Sequence, residues 1–190
     1  AFATRISTTA KETSEIISAL LLLSRAPEKL DAPPTSINDI ALNEVQRLNY
    51  LLRHKSVTCK IVAEQLYVAH VRPELLKMAL GNLIKNAFQY TDEGEVIITI
   101  DAEKITVTDT GLGIPEVMMP LLYERFERLE QQYKDISLDT ESSSAADAHY
   151  PVEGTGLGLS IVQRIMTHMG WQLTHQVNPL GGSTFIINYH

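Results

Sequence analysis

Cysteine is nearly absent: Cys59 is the only one in 190 residues. A single thiol excludes a disulfide framework and any metal site built on paired cysteines, and it suits a reducing compartment. Long apolar runs are missing as well. The longest, IISALLLL at 16–23, falls well short of the roughly 20 residues that span a bilayer. Basic runs are missing too. Against 23 Asp and Glu stand only 16 Lys and Arg, for a net charge of −7, so no nucleic-acid partner is expected. There is no G-x-x-x-x-G-K-[ST], which excludes a P-loop. In GTGLGL, Leu159 stands where the dinucleotide fingerprint needs Gly or Ala. The chain opens on Ala1 with no signal peptide and reads as a piece of something longer.

What is present is a core. Apolar residues make up 44% of the chain, enough for a packed domain. Ile6, Thr9, Thr13, Ile16, Leu20 and Leu23 recur at helical spacing over 3–25. RAPEKLDAPPTS then stops the helix and reads as a linker. Ser36 is a natural cap for a second amphipathic helix, INDIALNEVQRLNYLLRHK. VTCKIV and LYVAHV read as short strands joined by Ala63, Glu64 and Gln65, and Pro73 opens the helix PELLKMALGNLIKNAFQYT. GEVIITID and KITVTDT form the next strand pair around Ala102 and Glu103. Short helical pieces, a polar aperiodic stretch, a helix at 157–169 and the strands WQLTHQV and STFIINY complete the chain. Strands in hairpin-like pairs between helices predict an α+β fold, a two-layer α/β sandwich.

Three places offer chemistry. VEGTGLGLSIV packs Gly154, Gly156 and Gly158 into the mouth of a helix. Bare backbone there suits either a flexible linker or an anion held on unpaired helix N–H groups. Asn82 and Asn86 share one face of their helix. They are either a solvated face or, at Asn86, one amide oxygen for a hard cation that takes its other ligands from water and phosphate. Asp109 ends a strand just before GLGIP. It is either a turn residue or an acceptor for an exocyclic amine, with Gly111 and Gly113 admitting a flat ring.

Taken together, NLIKNAFQYT, DTGLGIP, YERFER, GTGLGLSIV and GGSTFIINY resemble, in order, the sequence boxes of the ATP-binding catalytic domain of bacterial sensor histidine kinases. These belong to the superfamily that includes gyrase, the Hsp90 chaperones and MutL. The resemblance covers roughly 35–190 and implies the same sandwich (the Bergerat-type fold), with a lid at about 115–153. It implies that Asn86 coordinates magnesium, that Asp109 reads the adenine amine, and that Gly111 and Gly113 shape the pocket. Gly154, Gly156 and Gly158 would let lid and helix embrace the phosphates, Phe126 would anchor the lid, and Arg128 would approach the phosphates. Asn82, Gln89, Tyr90, Ile114, Thr155, Leu157, Leu159 and Thr184 complete the implied nucleotide contacts.

The same resemblance assigns 1–30 to the second helix of a dimerisation hairpin, 31–36 to a linker and 37–190 to the ATP-binding domain. It implies a protein histidine kinase of two-component signalling, using ATP and Mg2+, with its own histidine-bearing dimerisation domain and a response regulator as partners. The full-length protein is expected to be a homodimer, cytoplasmic in this part and anchored in the bacterial inner membrane. None of His54, His70, His149, His168, His175 and His190 is followed by an acidic residue or lies on the N-terminal helix. The phosphoacceptor histidine is therefore expected outside this chain, which supplies no catalytic residue beyond those that position ATP. Many members carry a basic residue where this chain has Gln89; with Lys85 on another side of the helix, weaker phosphate anchoring is expected. Hydrolysing relatives place a glutamate four residues before the magnesium Asn. Asn82 stands there and cannot take a proton, which argues against an ATP-hydrolysing clamp. A nucleotide-binding or scaffolding module without kinase activity is the other alternative.

Overall fold

A computed structural model of the chain describes residues 32–119, 157–178 and 181–189. The expected helix at 3–25, Phe126, Arg128, most of the expected lid, and Gly154, Thr155 and Gly156 lie outside the described residues.

Strand β1 (Pro34–Ser36) runs directly into helix α1 (Ile37–Leu48). The Ser36 hydroxyl accepts the Asp39 N–H at 3.2 Å and caps the helix, occupying one of the donors that has no partner inside it. The apolar face of α1 buries Ile37, Ala41 and Leu48. The helix expected through residue 55 ends at Leu48 and tightens into a 3-10 turn over Asn49–Leu52. Pro34–Ser36, expected to be linker, pairs antiparallel with β3 (Val68–His70) in a two-stranded sheet.

Strand β2 (Ser56–Ala63) corrects the expected hairpin with β3. It pairs in parallel with β4 (Glu93–Ile100) along its whole length. Parallel neighbours need a long crossover, and helix α2 (Pro73–Tyr90) supplies it. The two later hairpins form as expected: β4 with β5 (Lys104–Asp109), and β6 (Gln172–Val177) with β7 (Ser183–Asn188). Because β5 also pairs with β7, the main sheet has five strands in the order β2-β4-β5-β7-β6.

Helix α2 buries Leu75, Leu76, Ala79, Leu80, Leu83, Ile84, Ala87 and Phe88, the wide stripe of a helix covered on more than one side. It packs on α1, and on α3 (Leu157–Met169) at its other flank. The sheet contributes Val96, Ile98, Ile100, Ile105, Val107, Phe185 and Ile187 to the same core. Alternate residues Thr99, Thr106, Thr108 and Thr184 fall on the other, more open face. The result is a mixed α+β sandwich of one helical layer on one sheet.

The C-terminal end of α2 is held from a distance. Lys55 Nζ donates to the carbonyls of Phe88, Gln89 and Thr91 at 2.8, 2.7 and 3.0 Å and pairs with Asp92 at 3.0 Å. A cation at a helix C-terminus satisfies carbonyls with no helical partner and opposes the helix dipole.

Candidate functional site

The site is built where three chain turns meet: the end of α2, the turn after β5, and the turn before β7. Asp109 closes β5 with its side chain on the core face, 6% exposed. Its Oδ1 accepts the N–H groups of Gly111 at 2.9 Å and Ser183 at 3.2 Å. Asn178 Nδ2 donates to the Asp109 carbonyl at 3.0 Å. Burial pushes the Asp109 carboxyl above the usual carboxylate range, and the two backbone bonds partly pull it back. Among the described residues, no group donates to Oδ2. A carboxylate fixed through one oxygen, with the other unclaimed, is equipped to accept one more donor.

The glycines around it serve close packing as much as ligand approach. A β-carbon at Gly111 would lie 2.2 Å from the Tyr90 carbonyl oxygen. At Gly182 it would lie 2.2 Å from the Asp109 carbonyl oxygen, and φ there is +86°. Gly113, at φ +71°, backs onto the Gly182 carbonyl. The turn is bonded on both sides: the Leu112 N–H donates to Tyr90 O at 3.2 Å and the Ile114 N–H to Ser183 Oγ at 3.1 Å.

Helix α2 brings Asn82 and Asn86 to the α3 side. Asn82 Nδ2 donates back to the Met78 carbonyl at 2.9 Å. Its Oδ1 stands 2.8 Å from where a β-carbon on Gly158 would be, so Gly158 seats the first turn of α3 against Asn82. Asn86 is half-buried, and its amide makes no hydrogen bond with a described side chain or backbone group. Its free amide oxygen fits a hard cation that needs one protein ligand. Among the described residues, no three His, Cys, Asp or Glu side chains gather as a metal site. Gln89 is exposed and Tyr90 half-buried at the helix end.

Two of the expected contacts lie apart from Asp109. Thr184 lies on the opposite face of the sheet from Asp109, its hydroxyl 3.3 Å from Thr108 Oγ1, the residue it faces across the strands. Side chains alternate along a strand, so a shift of one residue moves a side chain to the other face. Ser183 is the residue that meets Asp109. Leu159 is 4% exposed and its side chain belongs to the core. Of the residues the motifs did not single out, Ser183, Asn178 and Gly182 touch Asp109, and His175 reaches Ser183. The signal for Ser183 was present: Phe185 and Ile187 must face inward, and period two carries that face back to 183.

A family model, the histidine kinase-, DNA gyrase B-, and HSP90-like ATPase, matches residues 71–190. The virulence sensor protein BvgS of Bordetella bronchiseptica is 28% identical over 94% of this chain, which spans 14% of that protein. The phosphate regulon sensor protein PhoR of Pseudomonas aeruginosa is 31% identical over 92% of this chain, which spans 38% of it. The crystal structure of full-length ShkA in complex with AMPPNP shares the fold at a TM-score of 0.64 and 20% identity, covering 99% of this chain and 38% of that one. Among the described residues no helix is long and apolar enough to cross a membrane. The matched segment holds α2, the Asp109 turn, α3 and the closing strands: the chain belongs to the histidine kinase-, DNA gyrase B-, and HSP90-like ATPase family, as an ATP-binding domain of the sensor histidine kinase kind.

Proposed function

We propose that this domain binds Mg-ATP and passes the γ-phosphoryl group to a histidine on the dimerisation domain of its own kinase, upstream of a response regulator. The observation that carries the reading is Asp109, with one carboxylate oxygen fixed by two backbone N–H groups and the other unclaimed. That oxygen would accept the adenine amine. Asn86 would hold the magnesium, which neutralises charge on the phosphates. Gly158 and the first turn of α3, seated on Asn82, would present backbone N–H groups to the same phosphates. Tyr90 and Ile114 border the turn through backbone bonds, while Phe126, Arg128, Thr155 and the lid at about 115–153 would close over the nucleotide. Residues 1–30 would form the second helix of the dimerisation hairpin in a homodimer anchored in the inner membrane.

Phosphoryl transfer leaves little covalent work to this part. Its share is positioning and electrostatic stabilisation of the transferring group. Hydrolysis by water is disfavoured, because Asn82 cannot act as a base and the only carboxylate on α2, Glu74, stands at its other end. The test is incubation with γ-labelled ATP and a purified acceptor hairpin. Acid-labile phosphate on the hairpin's histidine supports the reading. Nucleotide binding without transfer would instead make this a binding or scaffolding module.

A further inference from the structure

Next to Asp109 sits a hydroxyl whose hydrogen bonding is governed by an imidazole. Ser183 is 2% exposed. Its N–H holds Asp109 Oδ1, and its Oγ accepts the Ile114 N–H at 3.1 Å. His175 Nε2 lies 3.1 Å from the same Oγ. The imidazole is packed on the Phe185 ring directly across the strands, with centroids 4.9 Å apart, so its approach to Ser183 is fixed by core packing.

A serine hydroxyl has one proton and two lone pairs. Ile114 occupies one lone pair. If His175 Nε2 carries a proton, it fills the second, and the Ser183 proton must then point to a third group as a donor. If Nε2 is bare, it takes the Ser183 proton, and Ser183 keeps only a lone pair to offer. The state of one ring nitrogen therefore decides whether the hydroxyl beside Asp109 presents a donor or an acceptor. Adenine's edge offers a donor amine at C6 and, adjacent to it, the acceptor N1. With the amine on Asp109, N1 needs a donor, reached directly or through one water.

We infer that His175 is a positioning residue for base recognition: it holds Nε2–H toward Ser183 and so keeps the Ser183 hydroxyl a donor for adenine N1. This rests on the nucleotide reading above. The role belongs to His175 through Ser183, and His175 itself need not touch the base.

The experiment compares ADP with 1-deaza-ADP, which lacks only the N1 acceptor, by calorimetry in EDTA on the full chain. Wild type should prefer ADP by about three- to tenfold, the worth of one neutral hydrogen bond. Ser183→Ala should abolish the preference. His175→Glu, whose carboxylate can only accept, should capture the Ser183 proton and abolish it too, whatever it does to overall affinity. His175→Gln, which can turn its amide N–H toward Oγ, should restore it. Nitrogen-15 spectra of wild type with ADP bound should show Nε2 protonated, a readout that does not require the variants to fold. A bare Nε2 in that complex, or an unchanged preference in His175→Glu, overturns the role of His175 while leaving nucleotide binding intact. No ADP binding by wild type overturns both readings together.

Discussion

Gly111 rests its α-carbon on the carbonyl oxygen of Tyr90: a β-carbon at 111 would sit 2.2 Å from that oxygen and 2.8 Å from Thr91 Oγ1. The first obstacle is backbone and cannot rotate away. Since Leu112 N also bonds Tyr90 O, the turn after β5 and the end of α2 would have to part. Gly111→Ala should therefore destabilise by about 1–3 kcal/mol, the range of overpacked cores. Gly182→Ala should cost more, adding a left-handed φ of +86° to a 2.2 Å clash with Asp109 O. Gly181 provides the control. Its φ is +90° but its nearest obstacle is 3.6 Å away, so Gly181→Ala should cost only the conformational strain, about 1–2 kcal/mol. Urea midpoints of the three variants test the order; Gly181→Ala as the most damaging would contradict it.

Asp109 sets stability against binding. Its carboxyl is pushed above the usual range by burial, less the pull of the Gly111 and Ser183 N–H groups. The folded state thus binds this proton more tightly than the unfolded chain does. For this group, stability is greatest below the unfolded value, falls as pH rises through the raised folded value, and stays low above it. Asp109→Asn should then be more stable than wild type at neutral pH, since its oxygen can keep both backbone bonds without a buried charge. The gain should vanish near pH 3, where both side chains are neutral. Losing a charge-assisted acceptor should weaken ADP binding about ten- to a hundredfold. Unfolding at both pH values, with calorimetry at neutral pH, checks the two signs. A variant less stable at neutral pH and unchanged in affinity would remove Asp109 from the site.

Local signals carried much of this fold. The spacing of Leu76, Ala79, Leu80, Leu83 and Ile84 marks α2, Pro73 marks its first turn, and Ser36 caps α1 as its position suggests. Partners distant in sequence were not legible. Nothing near Ser56–Ala63 says that it pairs with β4 rather than β3, and Lys55 reaches carbonyls 33 to 36 residues away. At the site, the motifs marked Asp109 and the glycines but not what those glycines touch. That Gly111 fits Tyr90 O and Gly158 fits Asn82 is a matter of tertiary contact. Ser183 was not singled out beside Thr184, which carries the same kind of hydroxyl, and only inward-facing Phe185 and Ile187 separate the two faces.

Asn86 should act only through a metal. Its amide makes no bond to a described residue, so Asn86→Ala removes no native hydrogen bond identified in the fold. Stability should change by less than about 0.5 kcal/mol, as for positions outside core and caps. ATP affinity measured in EDTA should be unchanged, whereas the increment on adding magnesium should largely disappear. Equal losses with and without magnesium would show that Asn86 supports the helix or touches the nucleotide itself.

A buried carboxylate between α1 and α2 supplies the last test. Glu44 is 1% exposed; its Oε2 is bonded by Arg47, and its Oε1 has no partner among the described residues. The space it occupies is taken from Gly81: a β-carbon there would lie 2.6 Å from Glu44 Oε2 and 3.1 Å from Arg47 Nη2. In a helix interior, alanine is better than glycine by about 0.5–1 kcal/mol. That benefit can be realised only if Glu44 gives way, which means leaving Arg47 within a packed interface. Gly81→Ala in wild type should accordingly lose stability, while in a Glu44→Ala background it should gain the full helical benefit. The two substitutions are therefore coupled by about 1 kcal/mol or more, the size expected of residues in contact. Urea unfolding of the four proteins measures this directly. If Gly81→Ala shifts stability equally in both backgrounds, Glu44 is not what keeps residue 81 a glycine.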